Sequence, residues 1–427
     1  MPDDPLWDSA RARELSGRRA IGALIRLGRE HRGWTLVDLG RRIGCSAATV
    51  SRLERRARIA DLDLVHRAAA AVGVPRLVLM ASLAPLPGPA ATKVTANAEE
   101  DSMRRRTLLT ATAAAGPGAL LLSLDEALAA PTVPAAGAPS LDRRLASSRE
   151  LFDAGSHQQL LAALPQLLAD AHAGAASRRP LDQARLSAVY SLTTALLIKL
   201  GDIGRARITA DRARTWAEVS GSPLAAAAAS REMAIVLRHQ DQHAAAQRLM
   251  TGAADAVQAT GLRTEAAASA YAQMLCTLAY TAARGGHRGD ALAMMQDARR
   301  AARRLPQQAP AGRLFNVSPA AVDLYAVGVH WALGDAGAAL DAGKDLRPEQ
   351  FPTAERRARL GTDMARAWWT WRRPEQTAAA LMGAYRSSPG EVRDRPAIRA
   401  IVEELAQRHP LTPGVRTLHT AVAPAVG

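Results

Sequence analysis

The sequence predicts an all-α protein, with a group of short helices near the N-terminus and a long array of helix pairs behind it. Three observations predict it. Apolar residues recur at helical spacing from about residue 141 to 410, and no convincing period-2 strand run appears among them. In that stretch Ala- and Leu-rich segments alternate with short turn stations at near-regular intervals. Between residues 18 and 80 the apolar periods are shorter, and Gly turns and Ser/Thr caps separate them.

At 427 residues the chain has room for two or three domains. Lysine is almost absent, so arginine carries the positive charge; this bias reads partly as a high-GC genome. The net charge of +15 still sets up a field that attracts polyanions such as nucleic acid. It is concentrated near the start, where eleven arginines between Arg18 and Arg58 face Glu30, Asp38 and Glu54, a local excess of +8. Cys45 and Cys276 lie far apart without metal-ligand spacing, which argues against a disulfide framework or zinc site and fits a reducing cytoplasm. The opening MPDDPLWDSARAREL is acidic and polar, unlike a secretory signal.

Residues 1–17 read as a flexible arm. Helix one is expected from about Arg18 to His31, with Ile21, Leu24 and Ile25 on its apolar side and Gly33 at its C-terminal end. Thr35 caps helix two, and Asp38 three residues on completes an S/T-x-x-D/E start. Leu39 and Ile43 face the core, Gly44 makes a tight turn, and Ser46 caps helix three. Val50 and Leu53 turn inward from helix three, leaving Ala47, Ala48, Thr49, Ser51, Arg52 and Arg55 outward. Helix four, Asp61 to Val72, supplies Leu62, Val65, Ala69 and Val72 as a floor.

Over about 60 residues this stretch resembles the Cro/lambda-repressor-type (XRE) helix-turn-helix family, with the match carried by Ser46, Thr49, Val50, Ser51, Arg52 and Glu54. The resemblance implies a five-helix DNA-binding domain whose third helix in the numbering above enters the major groove, where its first residues reach base edges. Small Ala47 and Ala48 permit close approach. Thr49 and Ser51 donate to bases or phosphates, and Arg52 suits guanine or phosphate. Arg41, Arg42, Arg55, Arg56 and Arg58 suit the backbone, where contacts position the protein without specifying sequence. With Thr35 and Ser46 at the helix starts, the expected DNA-facing set is Thr35, Arg41, Arg42, Ser46, Ala47, Ala48, Thr49, Ser51, Arg52 and Arg55. Three positions depart from the family: Leu36 where many members carry Gln, Arg56 where Gly often ends helix three, and Gly28 where Leu is usual. The last thins the small core.

Residues 81–140 read as a Pro-, Ala- and Gly-rich linker. Within it, MRRRTLLTATAAAGPGALLLSLDEALAA, residues 103–130, imitates a twin-arginine export signal. Its position deep in the chain and the break at Gly116-Pro-Gly favour a linker helix resting on the repeat domain, with no membrane role. Similar internal segments are a feature of actinobacterial regulators that join this kind of helix-turn-helix to repeats, and the whole-chain layout resembles that group.

The 141–410 region carries turn stations at Gly201-Asp202, Gln240-Asp241, Gly285-Gly286, Gly334-Asp335 and Arg373-Pro374, about 39, 45, 49 and 39 residues apart. Small residues crowd the helix after each station, which lets paired helices approach closely. Stacked pairs share one core and form an α-solenoid with a concave face. The pattern resembles a degenerate tetratricopeptide-repeat (TPR) array, with intervals longer than the usual period of about 34 residues. Residues 411–427 read as a disordered tail.

Outside the helix-turn-helix the chemical candidates are few. His239 and His243 share i, i+4 spacing, but Gln240 stands where a zinc protease needs Glu. Trp368, Trp369 and Trp371 read as core, with a ligand-stacking wall as the alternative. The expectation is therefore a cytoplasmic, nucleoid-associated transcriptional regulator and not an enzyme, without metal or cofactor. Its partners are double-stranded DNA, a second copy of itself, and a peptide, small molecule or protein on the repeat domain. The alternative is a TPR-type interaction scaffold with little specific DNA binding.

Overall fold

A computed structural model describes residues 5–17, 20–55, 62–75, 117–129, 140–308 and 314–423. Helix follows helix throughout: the described residues hold twenty-one α-helices and no strand, as the sequence predicts. They fall into two compact units, within Met1–Glu100 and Asp101–Gly427.

In the first unit a 3-10 turn (Pro5–Asp8) precedes α1 (Ala10–Gly17), α2 (Ile21–His31), α3 (Leu36–Ile43), α4 (Ala47–Arg55) and α5 (Leu62–Ala71). Ile21, Leu24, Ile25, Leu39, Ile43, Val50, Val65, Ala69 and Val72 form one buried cluster, and Leu53 packs against it. Arg18, Arg19 and the side chain of Leu62 lie outside the described residues.

Within the expected flexible arm, residues 5–17 form a 3-10 turn and a helix, which corrects the reading of those residues; residues 1–4 lie outside the described residues. The cause is an exchange of volume. A Cβ on Gly28 would stand 3.0 Å from Cη2 of Trp7 and 3.0 Å from Cβ of Val72. The space a leucine would fill at 28 is therefore taken by the Trp7 indole, which is 5% exposed. Gly28 does not thin the core; it makes room for an aromatic delivered from the N-terminus, and burial of that ring anchors the segment.

In the second unit α6 (Pro117–Ala129) comes first. Its Leu120, Leu124 and Leu128 join the same cluster as Leu160, Leu164 and Leu168. Arg205 grips Asp125 with two hydrogen bonds of 2.7 and 2.6 Å, and Arg212 donates to the Leu128 carbonyl at 2.7 Å. The apolar part of the export-like segment is thus core at 117–129, while the arginine triplet lies outside the described residues. Among the described residues no helix is long and apolar enough to cross a membrane.

The array continues as α7 (Leu141–Ala154), α8 (His157–Ala175), α9 (Pro180–Leu200), α10 (Ile203–Ser220), α11 (Pro223–His239), α12 (His243–Gln258), α13 (Glu265–Arg284), α14 (Arg288–Ala302), α15 (Pro319–Ala332), α16 (Ala336–Gly343), α17 (Ala354–Thr370) and α18 (Pro374–Ser387). Every predicted turn station joins two helices, from α9–α10 to α17–α18. Each turn uses one left-handed residue, Gly201, Asp241, Gly286, Gly334 or Arg372. The following amide then donates back to the helix, as Asp202 does to Leu197 O at 2.9 Å and Asp335 to His330 O at 3.0 Å. The helices after the turns bury small residues on one face: Ala206, Ala210, Ala213 and Ala217, one turn apart, on α10, and Ala291 and Ala298, two turns apart, on α14. Successive first helices, α9, α11, α13, α15 and α17, pack on one another in order.

After α18 come α19 (Pro389–Arg393), α20 (Pro396–Arg408) and α21 (Val415–Val422). Val415, Leu418 and Val422 are buried, so residues 415–422 of the expected disordered tail are a helix, held by the same apolar burial that orders its neighbours. The array also closes on itself. α7 packs on α17, and Ser388 Oγ donates to the Ala154 carbonyl at 3.3 Å. Buried His157 sits 3.0 Å from Asp394 and 3.5 Å from Glu391. Lys199 bridges Glu355 and Glu391.

Candidate nucleic-acid interface

α3 starts with a complete capping box. The Asp38 amide donates to Thr35 Oγ1 at 3.2 Å, and the Thr35 amide donates to Asp38 Oδ2 at 2.9 Å. The Thr35 hydroxyl donates to the same carboxylate at 2.6 Å and holds the Asp38 carboxyl below its ordinary range. Gly44, at φ 71°, ends α3 in the left-handed region, and the Cys45 amide returns to the Gly40 carbonyl at 2.9 Å. A side chain at 40 would collide with the turn, since its Cβ would lie 2.6 Å from the Cys45 carbonyl. Ser46 then caps α4 by accepting from the Thr49 amide at 3.2 Å.

A clamp missed by the sequence reading aims α4. Arg29 on α2 donates to both Glu54 oxygens, at 2.6 and 2.9 Å, and to the Trp34 carbonyl at 2.8 Å. The pair is largely buried, with 11% and 5% side-chain exposure. Its forked geometry fixes direction as well as distance. Glu54 raises the Arg29 pKa, so the charge is secure. Gly22 allows the same approach: a Cβ there would meet the Leu53 carbonyl at 2.5 Å. No local pattern signals the clamp, because its partners are 25 residues apart.

The predicted interface residues divide into three groups. Thr35, Arg41, Arg42 and Ser46 are exposed along the start of α3, its last turn and the entry to α4. Of these, Thr35 and Ser46 spend their hydroxyls on caps, and Arg42 lies over the Trp34 ring at 4.1 Å. Ala47, Thr49 and Ser51 are half-buried on α4, with Thr49 Oγ1 2.9 Å from Ser46 Oγ. Ala48, Arg52 and Arg55 stand on α4, but their side chains lie outside the described residues, as do Arg56 and Arg58 altogether. Leu36, the departure from Gln, packs partly against the core.

The other candidates change character. α11 ends at His239 and α12 begins at His243, so the two histidines are separated by a turn and do not share one helix face. Trp371 is 53% exposed, not core. It stacks on Trp368 with centroids 6.1 Å apart and lines an open groove of about 570 Å³ with Leu340 and Met364. Trp369 meets His409 edge-on.

An eight-residue and a nine-residue helix joined by a left-handed glycine turn, the second capped by serine and braced from behind, define a helix-turn-helix unit. The family model for a helix-turn-helix domain matches residues 20–82. Among curated proteins none matches the chain. The first unit is therefore a DNA-binding module of the helix-turn-helix kind, and DNA is its partner.

Proposed function

We propose that the chain is a sequence-specific transcriptional regulator of the XRE type. α4 reads base edges in the major groove, and the TPR-like helical domain dimerises the protein and receives a ligand. The observation that carries this reading is the bracing of α4. A helix of nine residues capped at Ser46 and clamped through Glu54 to Arg29 is pre-set for docking, and its first turn carries only small side chains at Ala47 and Ala48. Arg41 and the exposed last turn of α3 supply charge for phosphates on the flank. One short helix reads few base pairs, so specificity requires two half-sites and hence a dimer. Location in the cytoplasm and absence of catalysis belong to the same proposal.

The test is a binding titration on a duplex enriched from a random pool, against a scrambled duplex at physiological salt. Arg52→Ala is expected to weaken the enriched duplex by about 1–3 kcal/mol and to relax preference at one position. Equal affinity for both duplexes would refute sequence-specific reading and leave the scaffold alternative.

A further inference from the structure

We propose that the concave interior of the helical domain binds a small oxyanion ligand, carboxylate- or phosphate-bearing, through Arg231, Arg238, Arg356 and Arg359 beside Tyr325. The proposal rests on the reading of this domain as the part that receives a signal, and it names the chemistry received.

Side chains from four first helices converge there. Arg231 on α11 donates to the Tyr325 hydroxyl of α15 at 3.2 Å, and Gln273 on α13 donates to it at 2.7 Å. Arg359 on α17 lies over the Tyr325 ring at 5.5 Å, and Arg238 lies over Tyr280 at 4.7 Å. Arg231, Arg356 and Arg359 keep 19%, 21% and 26% of their side-chain surface, so a small molecule can reach them.

The charges in this space do not balance. Arg231 pairs with Glu232. Arg359 and Arg366 share Asp363, at 3.1 and 3.4 Å. Arg356 is 3.4 Å from Glu355, which already holds Lys199 at 2.6 Å, and the nearby Asp153 divides its charge between Arg356, Arg149 and Lys199. Arg238 donates to Thr281 Oγ1 at 3.3 Å, and no carboxylate of the described residues forms an ion pair with it. In addition, Nε of Arg231 is buried with no hydrogen-bond partner among the described residues. Grouped guanidinium donors with too few acceptors cost stability, unless the fold keeps them for a guest. Their planar forks match carboxylate and phosphate oxygens two at a time.

The surrounding titrations agree with this geometry. Burial pushes the Tyr325 hydroxyl up, yet Arg231, Arg356 and Arg359 outweigh it and bring it down to about 8. Burial lowers Arg238 to about 10, and the charges of Arg231 and Arg359 push the same way.

The experiment is calorimetric titration of the full chain, without DNA, with inorganic phosphate in one arm and citrate in the other, ionic strength being matched with chloride. Saturable heat is expected in at least one arm, and the arm that responds separates phosphate from carboxylate. Arg238→Gln and Arg356→Gln are each expected to weaken it by about tenfold or more. A second readout is the phenolate titration of Tyr325, identified by its loss in Tyr325→Phe, which a bound anion shifts upward. Absence of saturable heat in both arms with an unmoved tyrosine titration overturns the proposal, and so does undiminished binding in both arginine variants. DNA binding is measured separately, so a failed DNA reading would leave anion binding intact, and the reverse.

Discussion

Trp7 is expected to hold the DNA-binding unit together, although it lies before the residues that the family model matches. Trp7→Ala deletes a side chain that is 5% exposed against Gly28 and Val72. Such a deletion costs about 3–5 kcal/mol, most of the stability of a small domain. Hydrogen exchange read on peptides spanning residues 20–55 of the full chain reports this unit alone. Protection there is expected to fall by about two to three and a half orders of magnitude. Trp7→Phe is expected to be mild, because the indole Nε1 it removes is buried with no partner among the described residues. Gly28→Leu alone overpacks and costs about 1–3 kcal/mol, since its Cβ already meets Trp7 and Val72 at 3.0 Å. Combined with Trp7→Ala it refills the cavity, so the double variant is expected to be more protected than Trp7→Ala. Unchanged protection in Trp7→Ala, or strictly additive losses, would refute the volume exchange.

Arg29→Met leaves the Glu54 charge buried and alone, which is expected to cost about 3–5 kcal/mol by the same exchange measurement. Arg41→Ala is expected to weaken binding to all duplexes alike and lower the salt slope by about 1. Ala210→Leu forces apart α9 and α10, where Ala210 is fully buried, and is expected to cost about 1–3 kcal/mol in thermal unfolding, whereas Ile208→Ala, at a site 51% exposed, changes stability by less than about 0.5 kcal/mol. Burial works against a charged His157, but Asp394 and Glu391 outweigh it and raise its pKa. A raised histidine contributes stability fully below its unfolded value of about 6.5 and loses it as pH climbs through the folded value. Glu391 and Asp394 are lowered and give up their share only in acid. The melting temperature of the helical domain is therefore expected to fall as pH rises above about 6.5 and to flatten in His157→Gln; an equal fall in both proteins would contradict the assignment.

Features set by near neighbours were legible in the sequence. The Thr35–Asp38 box, the Gly44 turn, the Ser46 cap and all five turn stations depend on residues within a few positions, and each stands where the pattern put it. Features set by distant partners were not. Gly28 reads as a defect until Trp7 is seen beside it. Val415, Leu418 and Val422 bury only because earlier helices offer a face. The contact of His157 with Asp394 spans 237 positions, and no periodicity announces it. Arg231 and Arg359 look like scattered surface charge along α11 and α17 until Tyr325 is seen between them. Arg29 and Glu54 are ordinary helix residues apart and a clamp together.

The central claim, a regulator that reads sequence through α4, is tested most directly by a genome-wide occupancy map of the native protein beside its Arg52→Ala variant. Sharp peaks upstream of genes, sharing one motif arranged as two half-sites, are expected, and their loss in the variant. Diffuse occupancy without a shared motif, unchanged by the substitution, would contradict it.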